Sequence, residues 1–477
     1  MQARGDLWLG SLVAAITTGA LVLGGCSGAT NAVLGISPST TTATVPVSLT
    51  DAPSDVVLAT SLTLNTVTLT NSKGATVSVL SSPLTFEATR LDAVQEPLMM
   101  PAIPEDTYTS VALTYSNAQV AYVDTATKQV VTTAGVLANN SQTITFPNAI
   151  TVSNSSTGLL VDYLVANSVV ISGSTVTVTP QFHVAAVPVS STPTNGTNGL
   201  MVGVKGKVSA LGTNSFTLTL PHGVAVTAEV NSNTVYQGIS NFAALTVGAL
   251  IEADLTLKTD GTILATRVEQ AVAPVANMIF VEGPITAITG SPASSFTMAV
   301  RDKVGATATT APIENDTITI TGSTKFVVPA RFATIVAGVT PFTQDFSAAT
   351  LFAGQAVTVA TTGVTNNAAT ALAIEQHPQT VGGTIASITP PVTNNTQAYT
   401  VYVVTLDPTG WLAKLTGKSS VTVYINENPN VQAINNTTFT VGQTARFNGF
   451  LYQVNGNLVL LAGAQADGAG TPIGPHI

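Results

Sequence analysis

The sequence predicts an all-β protein, a β-sandwich over 45–187 followed by a tandem repeat of small β-units from 201 onward. Three observations carry this expectation. Asp, Glu, Lys and Arg together are 8% of the 477 residues, against about 25% in ordinary soluble domains, and Thr, Ser and Asn have taken their place. Threonine and valine favour strands, because β-branched side chains suit a pleated, half-buried surface. Short alternating apolar segments recur between turn residues, whereas helix signals reduce to one turn at 89–95 that Pro97 would stop.

The chain opens with a targeting pattern. Arg4, partly cancelled by Asp6, precedes an uncharged stretch from Leu7 to Leu23, a little short of the roughly 20 apolar residues that span a bilayer comfortably. Small Gly24 and Gly25 then lead to Cys26, the only cysteine of the chain. Charge, apolar run and small residues in this order are the layout of a cleaved signal. Leu23-Gly24-Gly25-Cys26 resembles the bacterial lipobox, with Gly24 where Ala or Ser is usual. The resemblance implies a signal peptide over 1–25 and a diacylglycerol-modified, acylated Cys26 that anchors the protein in the cell envelope. Ser27 in place of Asp implies onward sorting to an outer membrane where the cell has one. An uncleaved anchor helix and a coincidental cysteine are the competing readings. With Cys26 lipidated, neither a disulfide nor a cysteine-based zinc site remains available.

Residues 26–44 read as a flexible tether. Strands are expected at 45–49, 62–69, 75–80, 111–115, 119–123, 143–146, 159–164 and 175–184, and many short strands without helices imply a sandwich. In Val111, Leu113 and Tyr115 the large side chains fall on every second position, giving one buried face. The stretch 45–187 resembles a family of uncharacterised domains of bacterial secreted lipoproteins. The resemblance rests on Leu49-Thr50-Asp51-Ala52-Pro53, Pro104-Glu105-Asp106-Thr107-Tyr108, Val161-Asp162-Tyr163, Asn167-Ser168 and Pro180. Glu105-Asp106 departs from the small residue and glycine usual there. The family implies architecture and location, and no established activity.

After a linker at 188–200, three copies open with Gly-x-(Val/Ile)-x-x-(Leu/Ile), at Gly206, Gly283 and Gly383. Each later shows an apolar residue three before a glycine: Leu245 and Gly248, Leu351 and Gly354, Phe439 and Gly442. Asp260-Gly261 and Asn455-Gly456 are hairpin dipeptides, and Asn366-Asn367 occupies the comparable place in the middle copy. The copies, bounded at 201–272, 278–377 and 380–468 with joints near 271–277 and 376–380, look like another uncharacterised repeat family of bacterial exported proteins. That resemblance implies OB-like β-barrels of five or six strands, the first copy matching best.

Candidate chemistry is sparse. A net charge of −9 without any Lys/Arg run lacks the footprint that nucleic acid requires. His183, His222, His377 and His476 show no zinc-hydrolase spacing, and no Gly-x-Ser-x-Gly elbow or phosphate-cradling loop occurs. Asp51 and Asp55 bracket a turn, and Glu105-Asp106 precedes a strand. If their loops converge, these four are candidate oxygen ligands for Ca²⁺. The competing reading makes Asp51 the acceptor of an Asx-turn fixed by Pro53. Glu252/Asp254 and Glu314/Asp316 alternate along strands and are expected to face solvent. Most aromatics, Tyr236, Phe242, Tyr424, Phe447, Phe450 and Tyr452 among them, have core periodicity. Trp411, after Asp407-Pro408-Thr409-Gly410, is the best candidate for an exposed ligand-binding ring.

The sequence therefore reads as a non-catalytic envelope lipoprotein, a surface or periplasmic binding and spacer protein. It needs no cofactor, and its partners are the membrane, through its lipid, and an envelope glycan or another envelope protein. The alternative is a calcium-dependent glycan-binding protein or envelope hydrolase using the sandwich-loop carboxylates. Replacing Cys26 by alanine is expected to release the protein from membranes or leave its precursor uncleaved. Fractionation and intact mass read the outcome, and unchanged retention with unchanged mass contradicts the lipid anchor.

Overall fold

The computed structural model describes residues 41–52, 54–91, 96–154, 157–189, 200–221, 223–258, 260–305, 313–329, 341–394, 397–426, 432–433 and 438–467. The signal segment, Cys26 and most of the 188–200 linker lie outside them. Strands dominate, and no helix among the described residues exceeds the six of Trp411–Thr416. None is long and apolar enough to cross a membrane.

Period-2 placement of apolar residues builds the N-terminal region. Strands Val57–Asn71 and Thr107–Val123 pair antiparallel and centre a six-stranded sheet. A four-stranded sheet runs in the order Phe182–Pro188, Thr157–Leu164, Val47–Ala52, Glu96–Met99. Leu62, Leu64, Leu113 and Tyr115 of the first sheet share a core with Leu49, Val161, Tyr163 and Phe182 of the second. The rings of Tyr163 and Phe182 lie 4.9 Å apart.

Several expectations need correcting. The strands expected at 111–115 and 119–123 are one, Thr107–Val123. Asn117 sits at φ +53° within it, and the register shifts between Ser116 and Gln119. Such a bulge changes which face a residue presents. Before it Val111, Leu113 and Tyr115 enter the core; after it Ala118, Val120 and Tyr122 do, while Ala121 and Val123 join another core. The 175–184 strand is two, Thr175–Val178 and Phe182–Pro188, separated where Pro180 has no N–H to donate. The tether was drawn too long, for Thr42–Thr44 is already a strand paired with Ala102–Pro104. Thr89–Leu91 forms the expected single turn.

Each repeat uses one strand order. In the third, Gln379–Asn394 is central, flanked by Gln397–Thr405 and Thr444–Val454, with Ser420–Asn426 and Asn457–Asp467 outside them. The two outer strands then pair in parallel, Val421 to Ile425 against Leu458 to Ala462, and close a five-stranded barrel. In the first repeat the comparable contact is the single pair Glu229 with Leu264. In the second the last strand is broken: Ala368–Thr370 pairs one side and Ala373–Gln376 the other.

The repeat motif now has a cause. A Cβ on the opening glycine would lie 2.8 Å from Thr219 O at Gly206, 1.9 Å from Ala299 O at Gly283 and 2.2 Å from Thr405 O at Gly383. Only glycine lets the central strand approach its neighbour so closely. Two residues on, the backbone of Val208, Ile285 and Ile385 accepts from the N–H of Gly248, Gly354 and Gly442 at 2.8, 2.7 and 2.8 Å. The N–H of the same three residues donates to Ala249, Gln355 and Gln443 O. Gly248, Gly354 and Gly442 have φ of +91°, +99° and +89°, the left-handed region that glycine favours. Leu245, Leu351 and Phe439 are buried three residues earlier and hold the turn down.

The described residues between 41 and 467 fall in a single compact unit. The joint expected at 376–380 is tightly packed: Gln376 is 0% exposed and donates to Leu451 O at 3.1 Å. Gln379 accepts from Ala356 N at 2.7 Å and donates to Gly354 O at 3.0 Å. One core joins the third repeat to Leu58, Ala59, Ala121 and Val123 of the N-terminal sheets and to Ala299 and Ile313 of the second repeat.

The two glycine types should fail differently. Gly442→Ala meets no atom within 4 Å and is expected to cost about 1–2 kcal/mol of backbone strain. Gly383→Ala, facing Thr405 O, is expected to cost about 3 kcal/mol. Urea melts of the two variants check the order, and an equal or reversed ranking contradicts the close-approach argument.

Candidate functional site

Charge is scarce in this chain, so the place where it collects is informative. On the first repeat Lys205 is in register with Glu252, Glu252 with Glu269, and Glu269 with Gln237. This row crosses four strands. One step along, Asp254 is in register with Arg267. The Arg267 guanidinium donates to Glu252 Oε1 at 2.8 Å, Asp254 Oδ2 at 2.7 Å and Glu269 Oε2 at 2.5 Å. Burial works against the charge on Arg267, but Asp254 and Glu252 outweigh it and keep the group cationic.

Lys205 also reaches the second repeat. Its Nζ contacts Glu282, donates to Thr358 Oγ1 at 3.2 Å and lies 3.1 Å from His377 Nδ1. On the other side of that ring, His377 Nε2 lies 3.1 Å from Glu282 Oε1. Burial raises the Glu282 carboxyl, yet His377 and Lys205 together overcome this and hold it at about 2. Lys205, Glu252, Glu269, Phe280, Thr358 and Glu375 line a cleft between the two repeats.

The same network runs into the N-terminal region. Glu282 is in register with Asp302, whose Oδ2 lies 3.9 Å from Arg90 Nη1. Arg90 is in direct contact with Glu96. Burial pushes Asp302 up to about 6 against the pull of Arg90. Next door Arg301 donates to Leu58 O through Nε at 2.9 Å and Nη2 at 2.7 Å, and its guanidinium carbon sits 5.8 Å from the centre of the Trp411 ring. Glu87 is raised by burial, with Arg301 opposing, and accepts from Thr60 N, Thr89 Oγ1 and Arg90 N at 2.7, 2.6 and 2.9 Å. Chemically this is a buried seam of ion pairs. Breaking such a pair strands a charge, which costs about 3–5 kcal/mol.

The residues singled out in the sequence fall elsewhere. Asp51 is 0% exposed within strand Val47–Ala52, in register with Tyr163, so it occupies a strand and not an Asx-turn. Asp55 lies 3.5 Å from Arg446 Nη1 at the third repeat, beside the start of strand Val57–Asn71. Asp106 is bonded at the other end of that strand, to Asn71 Nδ2 at 2.8 Å. Fifteen extended residues separate the two ends by about 45 Å, so the four carboxylates do not converge on one cation. Asp106 also accepts from Thr107 N, the main cause of its lowered carboxyl, and Glu105 accepts from Asn154 N at 2.7 Å. Both fasten turns. No group of three or more His, Cys, Asp or Glu suited to a metal ion occurs among the described residues.

Trp411 is 7% exposed, which corrects the expectation of an open ring. Asp407 caps Thr409 at 2.8 Å and turns the chain into helix Trp411–Thr416, whose first N–H donates to Asp55 O at 2.8 Å. Asp55 and Trp411, assigned to separate candidate sites, thus meet at one junction. Glu252 and Asp254 do not face solvent as expected, with side chains 14% and 15% exposed, and Asp316 is fully buried. His183 is exposed on its strand, and His222 and His476 lie outside the described residues. Sequence reasoning missed Lys205, Glu282, His377, Arg90 and Asp302. For Lys205, Glu282 and Asp302 the one signal was rarity, a charge on a strand of a chain that has few.

The two shifted carboxyls of the seam act in opposite pH windows. Asp302 is raised in the fold, so its ionised form opposes folding above about pH 6 and the penalty disappears as pH falls toward 4. Glu282 is depressed, so its contribution is present above about pH 4.5 and is lost as pH falls toward 2. Thermal stability is expected to peak near about pH 4.5, and Asp302→Asn should flatten the limb between pH 4 and 6. A melting curve series that rises steadily to pH 7 in both proteins contradicts this assignment.

Against known families, residues 205–269 match a domain of unknown function (DUF5666). The matched stretch covers the first repeat and begins and ends on two members of its charged row, Lys205 and Glu269. No curated protein matches the chain.

Proposed function

We propose that the chain is a non-catalytic, lipid-anchored envelope protein whose β-units form one rigid spacer and binding body. The N-terminal pair of sheets is read as a β-sandwich. The repeats are read as OB-like barrels, since central strand one flanked by two and four, with three and five meeting in parallel, is a five-stranded Greek-key order. The carrying observation is the use made of charge. Lys205, Glu282, His377, Arg90 and Asp302 are engaged in contacts that fix one unit against the next, where a catalytic constellation would keep a group directed at a reacting atom. A calcium-dependent or hydrolytic role for the sandwich loops loses its support with the separation of Asp55 from Asp106.

A spacer held by buried ion pairs should resist cleavage at its joints. Limited proteolysis of the full chain in detergent is expected to leave a fragment running from about residue 40 to about residue 467. Early cuts at 271–277 and 376–380 that liberate single repeats contradict the rigid-body reading. Turnover of glycan or ester probes by the purified protein contradicts the non-catalytic one.

A further inference from the structure

Lys303 and Asp316 face one another inside the second repeat. Lys303 belongs to strand Asp302–Val304 and is in register with Val281, and Asp316 is in register with Met298. Val281, Met298 and Ile318 are members of one apolar core and each is 0% exposed. Lys303 Nζ lies 3.2 Å from Asp316 Oδ2 and also contacts Glu314. Asp316 is itself 0% exposed, and beyond that Lys303 ammonium its carboxyl oxygens have no hydrogen-bond donor among the described residues. A carboxylate so placed has few of the donors that normally stabilise its charge.

We propose that Lys303 Nζ and Asp316 Cγ condense into an intramolecular amide, with Glu314 as the proton carrier. The neutral carboxyl is the form that condenses, and burial pushes the Asp316 carboxyl up toward it. Glu314 takes a proton from the Lys303 ammonium and so frees the amine as a nucleophile. The Nζ–Cγ bond forms and the bond from Cγ to the Asp316 hydroxyl breaks. Of the three ammonium protons one stays on the amide nitrogen, one ends on Glu314 and one leaves with the hydroxyl as water. Holding amine and carboxyl in contact supplies the effective concentration that a condensation in water lacks. The product removes two charges from an apolar core and ties strand Asp302–Val304 to strand Glu314–Thr319. It does so in a chain whose single cysteine rules out an internal disulfide.

Peptide mass mapping of the purified, denatured protein tests the bond. Trypsin cuts after Arg301, Lys303 and Lys325, with no Lys or Arg between the last two. The expected product is one peptide spanning 302–325, uncut at Lys303 and lighter than its sequence by one water. Lys303→Arg should restore the full mass, and Asp316→Asn should still join with loss of ammonia in place of water. A 304–325 peptide of full mass from the wild-type protein overturns the proposal. So does a 304–325 peptide that has lost water while Lys303 is cut normally, since that marks a cyclised aspartate. The wild-type measurement decides the matter even where a variant fails to fold.

Discussion

Everything beyond residue 200 depends on one reciprocal backbone contact, made once in each repeat. The residue two after the opening glycine gives its carbonyl to the N–H of a later glycine and its own N–H to the carbonyl after that glycine. The contact sits where the central strand, such as Gln379–Asn394 in the third repeat, leaves Thr444–Val454 and takes up Gln397–Thr405. A polar backbone group buried without a partner there would cost about 1–3 kcal/mol, so the chain has little choice of geometry. The opening glycine admits the neighbouring carbonyl, the later glycine supplies the positive φ, and the apolar residue three before it anchors the turn in the core. The second repeat shows how much rests on this contact. Its last strand is broken at Ala371 and Leu372, yet Gly354 still donates to Ile285 at 2.7 Å and the strand order is unchanged.

Part of this was legible in the sequence and part was not, for a physical reason. Burial of Val111, Leu113 and Tyr115 follows from period two alone, and so does the hairpin at Asn455-Gly456, where both residues take positive φ, +49° and +78°. The spacing of the repeat motif was visible too, but its cause was hidden. Val208 and Gly248 meet across a fold that the spacing does not describe. Failures cluster at junctions. Trp411 follows a polar turn, and nothing local says that Arg301 and Asp55 will cover it. Asp51 sits in a turn-like string, Asp-Ala-Pro-Ser, but the parallel strand Thr157–Leu164 pulls it into a sheet. A pattern rule reads one element at a time, and these residues are decided by two or three elements at once.

The candidate site was missed on the same grounds. Glu252 and Asp254 alternate as solvent-facing residues do, but Arg267 on the neighbouring strand draws both carboxylates in. Docking of the second repeat brings Glu282 and His377 against Lys205 and turns an outer face into an inner one. The pairing Lys205–Glu252–Glu269 is in register across three strands. A slip of one residue would move the whole row to the opposite face, so the strand registers and the seam specify each other.

That dependence explains why ionic groups join these units beside the apolar contacts of Leu58 and Leu250. An apolar outer face on each unit would be an exposed patch before docking, inviting association with any other apolar surface. Charged rows keep the faces compatible with water until the matching unit arrives. Once buried, they tolerate only the partner that neutralises them, because a stranded charge is far more costly than a lost apolar contact. Lys205 between Glu282 and His377 is selective in this sense, and its net contribution to stability is small by comparison. A chain with so few charges has placed many of them where wrong assembly would leave them unpaired. It relies on the glycine-dependent contact of each repeat to hold them in register.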